Sequence, residues 1–122
     1  MGDSNTSNFA LSYTLATINL NAITNENKIN ALKSFIHTHE LDIICMQEVA
    51  SSDFDIPGYS LIFNICESNR GTAIAAKLGI TLTNIARSLD SRVLCVDIGN
   101  EVKIVNIYAP SGTNNRRERR FL

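Results

Sequence analysis

Four kinds of side chain that can do chemistry sit where short apolar runs stop. Glu48 closes Leu41-Asp42-Ile43-Ile44-Cys45-Met46-Gln47-Glu48. Asn19 and Asn21 close Thr17-Ile18-Asn19-Leu20-Asn21, and Tyr108 lies in Asn106-Ile107-Tyr108-Ala109-Pro110 with Ser111 just beyond. A carboxylate, amides, a phenol and a hydroxyl suit phosphodiester chemistry. Magnesium takes oxygen ligands and keeps several waters, so one or two carboxylates suffice to hold it. Charge building on phosphorus oxygens needs a metal or hydrogen-bond donors, and an amide or phenol can donate to phosphate without repelling it. Spacing alone does not single out this chemistry, because a glutamate leaving a strand is ordinarily solvated.

The elements that must position these groups can be read from periodicity. Tyr13–Asn21 reads as a strand, with Ala16, Ile18 and Leu20 on one face and Leu15, Thr17, Asn19 and Asn21 on the other. Thr24 or Asn25 can cap a helix, and Ile29, Leu32, Phe35 and Ile36 recur at helical spacing, which predicts an amphipathic helix over Asn25–His39. Leu41–Gln47 is apolar enough for a strand buried on both faces. Strand, helix and strand make a βαβ unit with parallel strands, so Asn19, Asn21 and Glu48 are expected at one rim, where open α/β sheets bind ligands. Beyond a loop over Ser51–Gly58, the pattern is mostly antiparallel β: Tyr59–Ile65, a turn at Asn69-Arg70-Gly71, Thr72–Lys77, Ile80–Ala86, then Arg92–Ile98 and Glu101–Tyr108 joined at Gly99-Asn100. Val102, Ile104, Asn106 and Tyr108 share one face of the last strand, and Pro110 ends it.

Composition narrows the class. A length of 122 residues and an apolar content of 44% allow one small domain with a real core. No stretch has the length of a membrane span, and the polar start Met1–Asn8 has no basic region of a signal peptide. Residues 1–12 are expected to be a disordered lead-in. Gly2 with Thr6 fits the loose myristoylation pattern, against which Asp3 argues. Cys45, Cys66 and Cys95 have no metal-ligand spacing. Cys45 and Cys95, in apolar runs, read as buried small hydrophobes in a reducing compartment. His37 and His39 are two apart, the wrong spacing for a ligating helical pair. Net charge is −1, yet Arg116, Arg117, Arg119 and Arg120 crowd the last seven residues, either a DNA-backbone contact or a solvated helix face paired by Glu118.

Taken together, Thr17–Asn21, Ile44–Glu48 and Asn106–Pro110 resemble, in order and separation, the first three motifs of the endonuclease/exonuclease/phosphatase superfamily. Asn106–Gly112 followed by Arg116–Phe121, with Arg70-Gly71-Thr72-Ala73-Ile74, is similar to the endonuclease of LINE-type (non-LTR) retrotransposons. The resemblance covers Tyr13 to Leu122. It implies the N-terminal half of a DNase I-like fold, a four-layer α/β β-sandwich with a βαβ start and mainly antiparallel strands after it. It also implies catalytic roles for Asn19, Glu48 and Tyr108, with Glu48 and Asn19 holding Mg²⁺ (or Mn²⁺) and Tyr108 contacting the scissile phosphate. Asn21 and Ser111 would bind substrate, although relatives often carry asparagine at the position of Ser111.

The family's domain is about twice this length. Its later motifs are an Asp-x-Asn with the general base, a further metal-side aspartate and a terminal Ser-Asp-His, and all are missing from these 122 residues. Residues 13–122 are therefore expected to be an incomplete domain, inactive alone and with uncovered sheet edges. The expected function is that of a fragment of a metal-dependent DNA-nicking endonuclease associated with reverse transcription, acting in the nucleus of the cell as part of a longer protein. Two other readings stand beside it: another superfamily member, such as an abasic-site endonuclease or a lipid or nucleotide phosphatase, and a non-catalytic retrotransposon relic.

Overall fold

Alternation along Ile43–Val49 explains the layering of the molecule. Ile44 and Met46 belong to one core, and Ile43 and Cys45 to another, so this strand is buried on both faces. The computed structural model describes residues 12–66, 69–99 and 102–109. The N-terminal lead-in up to residue 11, Ser111 and the arginine-rich segment lie outside the described residues. In chain order the elements are β1 (Leu15–Asn19), α1 (Glu26–Thr38), β2 (Ile43–Val49), β3 (Tyr59–Cys66), β4 (Asn69–Lys77), β5 (Leu82–Arg87), β6 (Val93–Ile98) and β7 (Val102–Ile107).

One sheet has the order β1-β2-β4-β3 and the other β5-β6-β7. β1 and β2 are parallel across α1, the expected βαβ unit, and every other pairing is antiparallel. The parallel pair needs a crossover long enough to bring the chain back, and α1 supplies it. Asn25 caps α1 by accepting from Lys28 N–H at 3.2 Å. Ile36 is fully buried with Leu32 beside it, against Ile44, Met46 and Ala75. On the other face of this sheet, Ile43, Cys45 and Ile74 meet Leu94, Val96 and Ile98 of the second sheet. The described residues thus form helix, sheet and sheet, a mixed α/β fragment of a sandwich.

Three expectations change. Asn69-Arg70-Gly71 is the start of β4 and not a turn. The glycine serves close approach rather than reversal: a Cβ on Gly71 would collide with Asn64 O and Ile65 Cγ1 and stand 2.8 Å from Ile65 Cα. The chain reverses between Cys66 and Asn69, which pair across it. β1 also ends earlier than its apolar pattern, because Asn21 and Ala22 turn into the left-handed region with φ of 52° and 56°. Of the cysteines, Cys45 is buried as expected but Cys95 is only half-buried, and none forms a disulfide.

The edges of the two sheets are open among the described residues. Leu15 on β1 and Val105 and Ile107 on β7 are about half exposed, at 55%, 49% and 50%. Between them runs a groove of about 490 Å³ lined by Leu15, Thr17, Cys45, Gln47, Asn106 and Ile107, among others.

Two predictions follow from this packing. Gly71→Ala should cost about 2–3 kcal/mol in urea unfolding, since the clash is with neighbouring backbone that must be pushed aside; an unchanged midpoint would show that β3 yields freely. Burial pushes the Cys45 thiol up to about 11. At pH 8 only about one molecule in a thousand then carries the thiolate. Iodoacetamide followed by peptide mass mapping should find Cys45 protected in the folded chain and alkylated in urea.

Candidate functional site

The parallel strands β1 and β2 finish side by side, with Asn19 opposite Gln47 as their last pair. Beyond it the two chains curl and hold each other. Leu20 N–H donates to Gln47 O at 2.9 Å, and Ala22 N–H donates to Glu48 O at 2.8 Å. Asn21, Ala22 and Glu48 all have positive φ without being glycine. Each left-handed residue of this kind costs about 1–2 kcal/mol, and such strain concentrates at sites where a side chain must be aimed.

The aiming is done by a β-bulge. The register of β2 against β4 slips between Gln47 and Val49. Strict alternation after Ile44 and Met46 would send residue 48 into the helix-side core. Val49 takes that place instead, 1% exposed in the same cluster. Glu48 is thereby released to the rim, the re-aiming that bulges perform. Its side chain is nonetheless only 11% exposed. A carboxylate so far from water needs compensation, and both of its oxygens have it: Asn19 Nδ2 donates to Oε2 at 2.7 Å, and Arg70 Nη1 donates to Oε1 in an ion pair. Asn19 is held in turn, since its Oδ1 accepts from Asn21 N–H at 2.8 Å.

The structure therefore brings Asn19 and Glu48 into direct contact. Asn21 joins the cluster through its backbone N–H, while its exposed side chain lies past the strand end. Tyr108 follows β7, half-buried, and its N–H donates to Arg92 O at 2.8 Å, extending the ladder by one residue. Alternation places it on the same face as Asn106 and Ile104. Ser111 lies outside the described residues.

Three residues not singled out for the site prove to support it. Asn106 is 2% exposed, and its Nδ2 donates to Met46 O at 3.0 Å and Ala73 O at 2.8 Å. Its Oδ1 accepts from Gln47 Nε2 at 2.8 Å, and the same Nε2 donates to Thr17 Oγ1 at 2.9 Å. This chain of amides ties β7 to β2, β4 and β1 one residue before Glu48. The sequence signal was an asparagine on the same strand face as Ile104. Arg70 is the third, hidden because Arg-Gly after an asparagine looks like a turn.

Among the described residues no group of three or more His, Cys, Asp or Glu is gathered in one place. The donor set at the rim is one carboxylate and the Asn19 amide oxygen, which keeps a second lone pair. That set fits magnesium, which accepts a single carboxylate with water completing its shell; it does not fit a closed zinc site of four nitrogen or sulfur ligands.

No known family model matches the sequence, and no curated protein does. Solved structures do. An AP endonuclease from Archaeoglobus fulgidus superposes with a TM-score of 0.65 at 23% identity, covering 81% of this chain and 42% of that one. The AP endonuclease LMAP from Leishmania major gives 0.67 at 23%, covering 93% and 46%. Truncated TDP2 from Caenorhabditis elegans gives 0.69 at 15%, covering 88% and 50%. These neighbours belong to the endonuclease/exonuclease/phosphatase superfamily, and the chain has their DNase I-like fold in part. It spans half or less of the length of each.

The amide chain behind the site should be measurable as stability. Asn106→Leu keeps the volume but removes one hydrogen bond each from the carbonyls of Met46 and Ala73 and from the Gln47 amide, which keeps Thr17. A hydrogen bond of this kind contributes about 1 kcal/mol net, so urea unfolding should show a loss of about 1.5–3 kcal/mol. A loss under about 1 kcal/mol would mean that water replaces the asparagine.

Proposed function

We propose that this chain is the metal-bearing part of a phosphodiester hydrolase that nicks DNA. The observation that carries the reading is the carboxylate of Glu48, bulged out of a central strand onto a rim and braced by Asn19. The partial DNase I-like fold and the three sequence motifs support it. In this reading Glu48, with Asn19, holds Mg²⁺ or Mn²⁺, which when bound supplies positive charge beside the phosphate oxygens. Asn19 Nδ2 keeps the carboxylate aimed. The Tyr108 phenol donates to a non-bridging oxygen of the scissile phosphate, and Asn21 and Ser111 contact the neighbouring backbone. Among the described residues no group of three or more His, Cys, Asp or Glu gathers, and this reading assigns the general base to the family's later Asp-x-Asn motif.

The finer assignment is a LINE-type retrotransposon endonuclease, working on nuclear DNA and making its nick for reverse transcription. It rests on Asn106–Gly112, Arg70–Ile74 and the arginines after Asn115, whose charge favours the DNA backbone. The AP endonuclease neighbours favour a second reading, incision at abasic sites. Among the described residues no helix is long and apolar enough to cross a membrane.

Plasmid nicking in Mg²⁺ tests the reading, using this chain and the complete open reading frame that contains it. The 122 residues should give no nicked circles, and the complete protein should give them. Glu48→Gln in the complete protein should lower the rate about 100-fold or more. Nicking by that variant at the unmodified rate would sink the assignment. An abasic-site oligonucleotide cleaved in preference to intact DNA would select the second reading.

A further inference from the structure

The Glu48 carboxylate is not an open ligand. Each of its oxygens already accepts a hydrogen bond, one from a neutral amide and one from the Arg70 guanidinium, so an arriving cation meets the positive charge of Arg70. Among the described ion pairs, Arg70 is the cation that neutralises this nearly buried charge. We infer that Arg70 is a displaceable occupant of the metal position: a divalent cation reaches Glu48 only when the guanidinium leaves, so Arg70 sets the affinity of the site. The inference rests on the metal-binding reading of Glu48 given above.

The two ends of Arg70 differ in freedom. Its backbone is fixed in β4, where its carbonyl accepts from Ser91 Oγ at 3.1 Å and Thr72 next but one donates to Ser91 O at 3.2 Å. Its side chain is 54% exposed, against 11% for the side chain of Glu48. The guanidinium therefore reaches in from solvent and can swing back by side-chain rotation, leaving the strand undisturbed. Asn19 lacks that freedom, because its oxygen is tied to Asn21 N–H. A guanidinium has five donors and no acceptor, so it cannot join a metal's ligand shell. Two like charges on one carboxylate oxygen exclude each other, and exchange is the outcome.

This exchange protects the apo state. Without Arg70 the metal-free protein would hold an unpaired carboxylate away from water, which is costly. With it, the site is neutral before the ion arrives. Coupling is reciprocal: any polyanion that draws the guanidinium outward raises metal affinity by the same factor by which the metal raises affinity for the polyanion. A phosphate backbone lying along the rim is such a polyanion.

Manganese titration followed by electron paramagnetic resonance reads the exchange without turnover. Arg70→Gln should bind Mn²⁺ about tenfold tighter than the unmodified chain, within the usual range of coupling. Arg70→Lys, which keeps the charge, should stay near the unmodified value, and Glu48→Gln should lose binding. Arg70→Gln binding equally or more weakly overturns the inference but leaves the metal reading intact. Binding by neither protein overturns both. Should Arg70→Gln fail to fold, the unmodified protein decides: the nitrogen-15 signal of the Arg70 guanidinium should move to the position of free arginine as Mg²⁺ is added. A guanidinium signal that stays put while the Asn19 side-chain amide responds to Mg²⁺ overturns the inference.

Discussion

The amide of Asn106 is the contact on which the arrangement of the site depends. With Asn64, whose Nδ2 donates to Ser88 O and Val93 O, it bridges the two sheets, and it spends every hydrogen-bonding atom there: two donors on the carbonyls of Met46 and Ala73, one acceptor on Gln47. Those carbonyls belong to residues that face each other in the β2–β4 ladder. Dispersion and apolar burial would allow the second sheet to slide on the first, since neither is directional. Three hydrogen bonds of fixed geometry do not. Their position, one residue before the bulge, means that the inter-sheet register and the exit direction of β2 are set together.

The bulge then turns the end of a core strand outward to the rim. Glu48 could not be both in step with Ile44 and Met46 and at the rim. One extra residue in β2 hands the core position to Val49 and frees the carboxylate. The cost is visible as the left-handed backbones of Asn21, Ala22 and Glu48, which support one another through Ala22 N–H on Glu48 O. Arg70 and Asn19 then neutralise and orient the carboxylate, so the charge is tolerated in a nearly dry place.

The open edges of β1 and β7 set the limits of what these residues do together. Half-exposed Leu15, Val105 and Ile107 flank the groove behind the Asn106–Gln47 pair, and the solved structures with this fold are about twice as long. One carboxylate with its two braces can hold a cation. Hydrolysis also needs a base and donors on the far side of the phosphate, and the described residues do not gather them.

Much of this was readable from order alone. The continuous apolar run within Leu41–Gln47 and the helical spacing of Ile29, Leu32 and Ile36 are local properties, so the βαβ unit, its parallel strands and the meeting of Asn19 with Glu48 followed from sequence. The helix cap did too, as one of two candidates, Thr24 or Asn25, of which Asn25 is the cap. Three things did not. Arg70 looked like part of a turn because glycine has two uses, reversal and close approach, and only the neighbouring strand at Asn64–Ile65 tells them apart. The slip between Gln47 and Val49 is a property of two strands in register, invisible in either one. The closure of Asn106 on Met46, Ala73 and Gln47 spans as many as 60 residues of chain. Local periodicity decides which segments are strands and which faces are apolar; only packing between distant segments decides which polar group is aimed, braced and neutralised, because hydrogen bonds depend on where a partner is and not on what precedes it in the chain.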